Sequence, residues 1–160
     1  MVMKKIYNNK INFDKEHITH LLIIPDGFRR FAKKKKISTK RAYGIGSELG
    51  LKLLKTLYPL NISEISYFLI STRTLTREKE IIKYIFNALD NFLQKLLDIL
   101  KNGKYNYQVC HYGNRVLLPQ KTKYLLDEIK KLDIKSNKKL NLLIGFSGSN
   151  MVVSYFWTVQ

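Results

Sequence analysis

Apolar positions recur along this chain at two spacings, and the changes from one to the other lay out alternating strands and helices. Leu21 to Ile24 is an apolar run of strand length, predicted to be buried and to stop at Pro25, which has no amide hydrogen for a sheet. A helix-compatible run opens at Phe28-Arg29-Arg30-Phe31-Ala32. Ser38-Thr39 begins a short element, and Gly44 and Gly46 lead into a helix over Ser47 to Tyr58, with Leu49, Leu51, Leu53, Leu54 and Leu57 as its apolar side and Pro59 as its stop. Ile65 to Ile70 reads as a second buried strand from its β-branched and aromatic content. From Glu78 to Lys101 runs the longest helical stripe: Ile81, Ile85, Leu89, Phe92, Leu93, Leu96 and Leu100. Asn102-Gly103 ends it. Tyr105 to Tyr112 is a third strand, Lys121 to Leu132 a basic helix behind Pro119, and Leu140 to Phe146 a fourth strand. This order predicts an α/β fold: a mostly parallel sheet with helices on both faces, in a single domain over 1–160 without repeat or linker.

Composition narrows the partners. Apolar residues make up 45% of the 160, enough for a real core. Lys and Arg number 29 against 12 Asp and Glu, a formal charge of +17, which favours an anionic partner: a diphosphate, an acidic membrane surface or nucleic acid. The run Lys33 to Lys36 reads as a solvated face, with attraction for phosphate second. No nucleic-acid motif accompanies the charge, so no nucleic acid is expected. A single cysteine, Cys110 in an apolar run, gives neither a disulfide framework nor zinc spacing and is expected to be a buried, inert thiol. The first residues lack the apolar core of a signal peptide, and no apolar stretch reaches membrane-spanning length. The expected location is the cytoplasm, with peripheral membrane contact.

The candidate chemistry lies where the first strand turns into a helix. Asp26 and Gly27 sit on that turn, ahead of a helix N-terminus whose amides favour anions. Arg30 could grip phosphate oxygens in a fork, and Asp26 could hold a Mg²⁺ that bridges them. Asp26 could equally serve as an N-cap and no more. At the end of the second strand, Ser71-Thr72 has the same two readings: cap of the next helix, or part of a site at the carboxyl end of a parallel sheet.

These residues resemble the cis-prenyltransferases, the undecaprenyl diphosphate synthase family. In the family motif H-x-x-x-I-x-D-G-N-x-R-W-A-K, the residues His20, Ile24, Asp26, Gly27, Arg30, Ala32 and Lys33 match in register. Phe28 stands for the asparagine and Phe31 for the tryptophan. In F-S-x-E-N-W-x-R, Ser71 and Arg77 match, while Arg73, Thr74 and Leu75 replace Glu, Asn and Trp. Asn114 stands where the family has aspartate, and Leu140-Asn141 opens its L-N-I-A-x-x-Y-G-G-R segment. The arginine-rich segment R-x-x-G-E-x-R that follows in the family has no counterpart before Gln160, although Ser154, Phe156 and Gln160 have the spacing of its continuation. The chain is identified as a truncated or divergent member, with the C-terminal part of the family fold missing.

The resemblance implies a Mg²⁺-dependent prenyltransferase that condenses isopentenyl or dimethylallyl diphosphate with an allylic prenyl diphosphate. Asp26 would be the metal ligand and a catalytic residue, with Ser71 and Tyr43 (in place of the family's histidine) near the proton that is lost. Gly27, Phe28, Arg29, Arg30, Phe31, Lys33, Thr74 and Arg77 would bind substrate. The long helix would wall an apolar tunnel that Tyr84, Phe86 and Phe92 shorten, giving a short product. The alternative is a non-catalytic prenyl-diphosphate-binding or regulatory subunit, or a fragment that needs a partner. A homo- or hetero-oligomer is expected in either case.

Overall fold

The computed structural model describes residues 18–147. The expected spacing of Ser154, Phe156 and Gln160 lies outside these residues. Four strands form one parallel sheet in the order β1-β2-β4-β3: β1 His20–Ile23, β2 Glu64–Ser71, β3 Gln108–Tyr112 and β4 Lys139–Phe146. The helices between them are α1 Phe28–Lys35, α2 Thr39–Leu57, α3 Lys79–Lys101 and α4 Gln120–Lys131. Two short 3₁₀ turns, Thr72–Thr76 and Arg115–Leu117, follow β2 and β3. The α/β architecture expected from the alternating periods is the one observed.

Burial follows position in the sheet. From Leu140 to Phe146, β4 is buried throughout, as its unbroken apolar run requires of a central parallel strand. β1 departs from expectation. It is an edge strand, with Leu22 41% exposed, and Ile24 lies beyond its end at 60%. An apolar run of four residues does not distinguish a central strand from an edge with one face covered.

The largest correction concerns α2, which begins eight residues before the expected Ser47. Ser38 caps it by accepting the Arg41 amide at 3.2 Å, and Gly44 and Gly46 lie inside the helix. Interior glycine costs about 1 kcal/mol against alanine. At two positions a side chain could not fit: a Cβ on Gly46 would lie 2.3 Å from the Phe28 ring, and one on Gly50 2.5 Å from the Tyr67 hydroxyl. β3 is shorter than expected at its start, because Tyr105 and Tyr107 pack edge-on against Tyr58 at 5.2 and 5.3 Å instead of extending the strand. Tyr107 also donates to the Leu54 carbonyl at 2.9 Å. Cys110, on this edge strand, is half-buried and not fully buried.

The core forms where α2, α3 and α4 pack together over the sheet, with Leu54, Leu93, Leu96, Leu125, Leu140, Leu142 and Ile144 almost wholly excluded from solvent. Tyr67 of β2 meets Phe92 of α3 edge-on at 5.7 Å. Asp90 is buried in the α3–α4 seam, where Thr122 donates to it at 2.6 Å. By the alternation of the strand, the neighbouring Ser66 points to the other face from Tyr67. There it joins His20 (2.8 Å) and Asn141 (3.2 Å), and Asn141 also donates to Glu64 at 2.5 Å.

Candidate functional site

β1 and β2 are parallel neighbours, so their carboxyl ends deliver Asp26 and Ser71 to the same end of the sheet. Gly27 makes the turn at φ 86°, a left-handed conformation that favours glycine, and stands as N-cap of α1 without a side-chain cap. Asp26 therefore does not cap the helix. It accepts the Gly27 amide at 2.6 Å through one oxygen and the Arg30 guanidinium at 2.8 Å through the other. These two donors, the amide first, hold its carboxyl below the usual carboxylate range. Both side chains face solvent, Arg30 81% and Asp26 78% exposed, so the ion pair organises the site and adds little stability.

Around this pair lies a polar cavity of about 140 Å³. Asp26, Gly27, Arg29 and Arg30 line it from one side, Thr74 and Arg77 from the other. Tyr43 of α2 closes the back, where its hydroxyl accepts Arg77 Nη1 at 3.3 Å. Beneath lies an apolar cavity of about 70 Å³, reaching Gly46, Ser47, Tyr67, Ile70, Ala88, Leu89 and Phe92. Pro25, Phe28, Tyr43, Leu69 and Ile85 line both cavities.

Not every expected site residue joins the group. Ser71 caps the 3₁₀ turn, accepting the Thr74 amide at 3.1 Å and sharing a hydrogen bond with the Thr74 hydroxyl at 2.8 Å; it lines neither cavity. Phe31 and Lys33 are exposed on α1 and also line neither. Among the three aromatics expected to shorten a tunnel, Phe92 lines the apolar cavity. Phe86 is buried elsewhere, and Tyr84 donates to Glu80 beside a separate groove between α2 and α3. Ile85, Leu89 and Phe92 of the expected tunnel wall line the apolar cavity, while sequence reasoning passed over Leu69, Tyr67 and Ser47. The available signal was the glycine pair 46 and 50, one turn apart on α2, which marks where aromatic rings press against the helix.

A family model described as putative undecaprenyl diphosphate synthase matches residues 24–158. The chain belongs to this prenyltransferase family. Among curated members, the tritrans,polycis-undecaprenyl-diphosphate synthase (geranylgeranyl-diphosphate specific) of Archaeoglobus fulgidus is 28% identical over 157 residues, which is 96% of this chain and 62% of that protein. An isoprenyl transferase of Campylobacter jejuni is 33% identical over 106 residues, 66% of this chain and 47% of its own. The chain thus spans about half to three fifths of the length of these relatives. Two solved structures share the fold. Lavandulyl diphosphate synthase from Lavandula x intermedia, in complex with dimethylallyl diphosphate, aligns with a TM-score of 0.79 at 18% identity, over 84% of this chain and 58% of that one. A probable undecaprenyl diphosphate synthase from Campylobacter jejuni aligns at 0.61 and 23%, over 85% and 58%.

Proposed function

We propose that this chain binds a short allylic prenyl diphosphate and transfers its prenyl group to a second prenyl diphosphate. The observation that carries this reading is the adjacency of the two cavities: an arginine-lined polar one and a small apolar one share five lining residues, matching a ligand with an anionic head and a short hydrocarbon tail. Arg30 and Arg77 bind and orient the head, and the α1 amides add dipolar attraction. The tail enters between Phe28, Tyr43, Leu69 and Ile85. At about 70 Å³ the apolar cavity is smaller than the roughly 150 Å³ that accommodates benzene in an engineered core, which favours a short product.

Mg²⁺ fits the donor set. It is commonly held by one or two carboxylates together with substrate phosphates and water, and Asp26 presents an ionised carboxylate on the diphosphate cavity, each oxygen with a lone pair beyond the bond it already accepts. When bound, it would neutralise charge on the leaving diphosphate. Asp26 is the ligand in this reading, and Tyr43 lies beside Arg77 near the reacting carbon.

A second reading, a diphosphate-binding subunit that acts with a partner, draws support from Ser71, whose hydroxyl is committed to Thr74. Coupling also places two diphosphates side by side, which calls for a second cationic cluster besides Arg29, Arg30 and Arg77. In both readings we propose an oligomer, favoured by the edge strands β1 and β3. We place it in the cytoplasm, touching an anionic membrane through the basic end of α1. Among the described residues no helix is long and apolar enough to cross a membrane.

The test is a radiolabelled product assay on the 160-residue chain with dimethylallyl and isopentenyl diphosphates, with light scattering in parallel. Mg²⁺-dependent product that disappears in Asp26→Ala supports the transferase. Tight binding without product supports the subunit reading, and neither binding nor product removes both.

A further inference from the structure

The residues shared by the two cavities mark where the carbon attached to the diphosphate must sit, since the head occupies one cavity and the tail the other. Two of the five, Phe28 and Tyr43, are aromatic. Their ring centroids lie 5.3 Å apart, with planes inclined at 50°. Phe28 occupies space that only a glycine at 46 leaves open, where any Cβ would lie 2.3 Å from the ring. Tyr43 is 8% exposed and held at its hydroxyl by Arg77.

We propose that the Phe28–Tyr43 pair stabilises positive charge on the allylic carbons as the diphosphate departs, an inference that rests on the function proposed above. In that step the C1–O bond breaks and its electron pair leaves with the diphosphate, which Arg30 and Arg77 hold. The remaining allyl group carries one positive charge spread over C1 and C3. The π pair of the second prenyl diphosphate's alkene then forms the new bond to C1, and the adduct releases a proton to solvent. The arginines that assist the leaving group repel the developing cation, so a site with arginines alone would work against its own product. Aromatic rings at the junction offset part of that repulsion, because their faces are negative.

An independent feature points the same way. The Ser47 hydroxyl, one turn beyond Tyr43 on α2, lines the apolar cavity, is buried, and has no hydrogen-bond partner among the described residues. An unpartnered hydroxyl is unfavourable against a plain hydrocarbon wall. Its oxygen lone pairs favour a cationic guest.

The experiment compares two probes of nearly the same shape by calorimetric titration: 3-methylbutyl diphosphate, and 2-(dimethylamino)ethyl diphosphate, whose protonated nitrogen places a positive charge in the tail. The wild-type chain should bind the ammonium probe about tenfold more tightly than the neutral one. Phe28→Leu should bring the ratio of the two affinities close to one, whatever it does to the affinity for the neutral probe. Tyr43→Phe, which keeps the ring and loses the Arg77 contact, should retain the preference. A merely structural role for Phe28 would move both affinities together. Equal affinity for the two probes in wild type, or a preference that survives Phe28→Leu, overturns the inference alone. Failure of even the neutral probe to bind overturns the proposed head-and-tail site, and the inference with it.

Discussion

Two polar clusters stand at opposite ends of the sheet, and they differ in what they border. Toward the amino ends, His20, Ser66, Asn141 and Glu64 bond to one another across β1, β2 and β4, with Ser66 2% and Asn141 7% exposed. At the carboxyl ends, Asp26, Arg30, Tyr43 and Arg77 are also bonded in pairs, yet the pairs border a cavity and the arginines keep donors that no neighbour among the described residues takes up. The first cluster ties three strands together and borders neither cavity. The second lines one, where an anion can reach it. Polarity at a strand end is therefore no guide to function by itself; the difference lies in whether the cluster borders a cavity.

If that contrast is right, the two clusters should fail in opposite ways. The largest effect is expected from Arg30→Ala combined with Arg77→Ala, which removes two charge-assisted contacts worth about 1.5–3 kcal/mol each, so affinity for dimethylallyl diphosphate should fall at least a hundredfold. Urea denaturation should show stability unchanged within about 0.5 kcal/mol, as for other exposed charges. Asn141→Leu should do the reverse, costing about 1–3 kcal/mol of stability by leaving the Glu64 carboxylate without its donor, with diphosphate affinity unaffected. An Arg30→Ala, Arg77→Ala variant that loses stability along with affinity, or an Asn141→Leu variant that loses affinity while unfolding like wild type, would erase the distinction.

The smallest effect sharpens the picture of Asp26. Its folded pKa lies below the ordinary 3.8, so the stabilisation from its Gly27 and Arg30 bonds is present above that value and lost as the pH falls through the folded pKa. The stability difference between wild type and Asp26→Asn should be constant from neutral pH down to about 4 and vanish only in stronger acid. A difference that already changes between pH 5 and 7 would contradict the depressed pKa.

Much of the fold was legible in the sequence because β2, α3, α4 and β4 each carry a single clear period. The start of α2 was not, since Gly44 and Gly46 look like a loop until Phe28 is seen filling the space at Gly46. In the site, Asp26, Arg30 and Arg77 were readable from the strand-to-helix turn and the resemblance. The apolar cavity was readable on its α3 side from the resemblance but not on its β2 side, because Leu69 and Tyr67 look like ordinary core residues along the chain. Ser71 shows the limit from the other side: cap and site residue have the same sequence signature, and the hydrogen bonds to Thr74 show it serving as the cap.

The central claim is that one short prenyl diphosphate spans both cavities, and it is tested most directly by titrating the wild-type chain with dimethylallyl diphosphate and with inorganic diphosphate under identical conditions. The account predicts micromolar-class binding of the prenyl ligand, roughly 8 kcal/mol, and at least tenfold weaker binding of the bare diphosphate, which leaves the apolar cavity empty. Equal affinity for the two would mean that the tail contributes nothing and that the apolar cavity belongs only to the core.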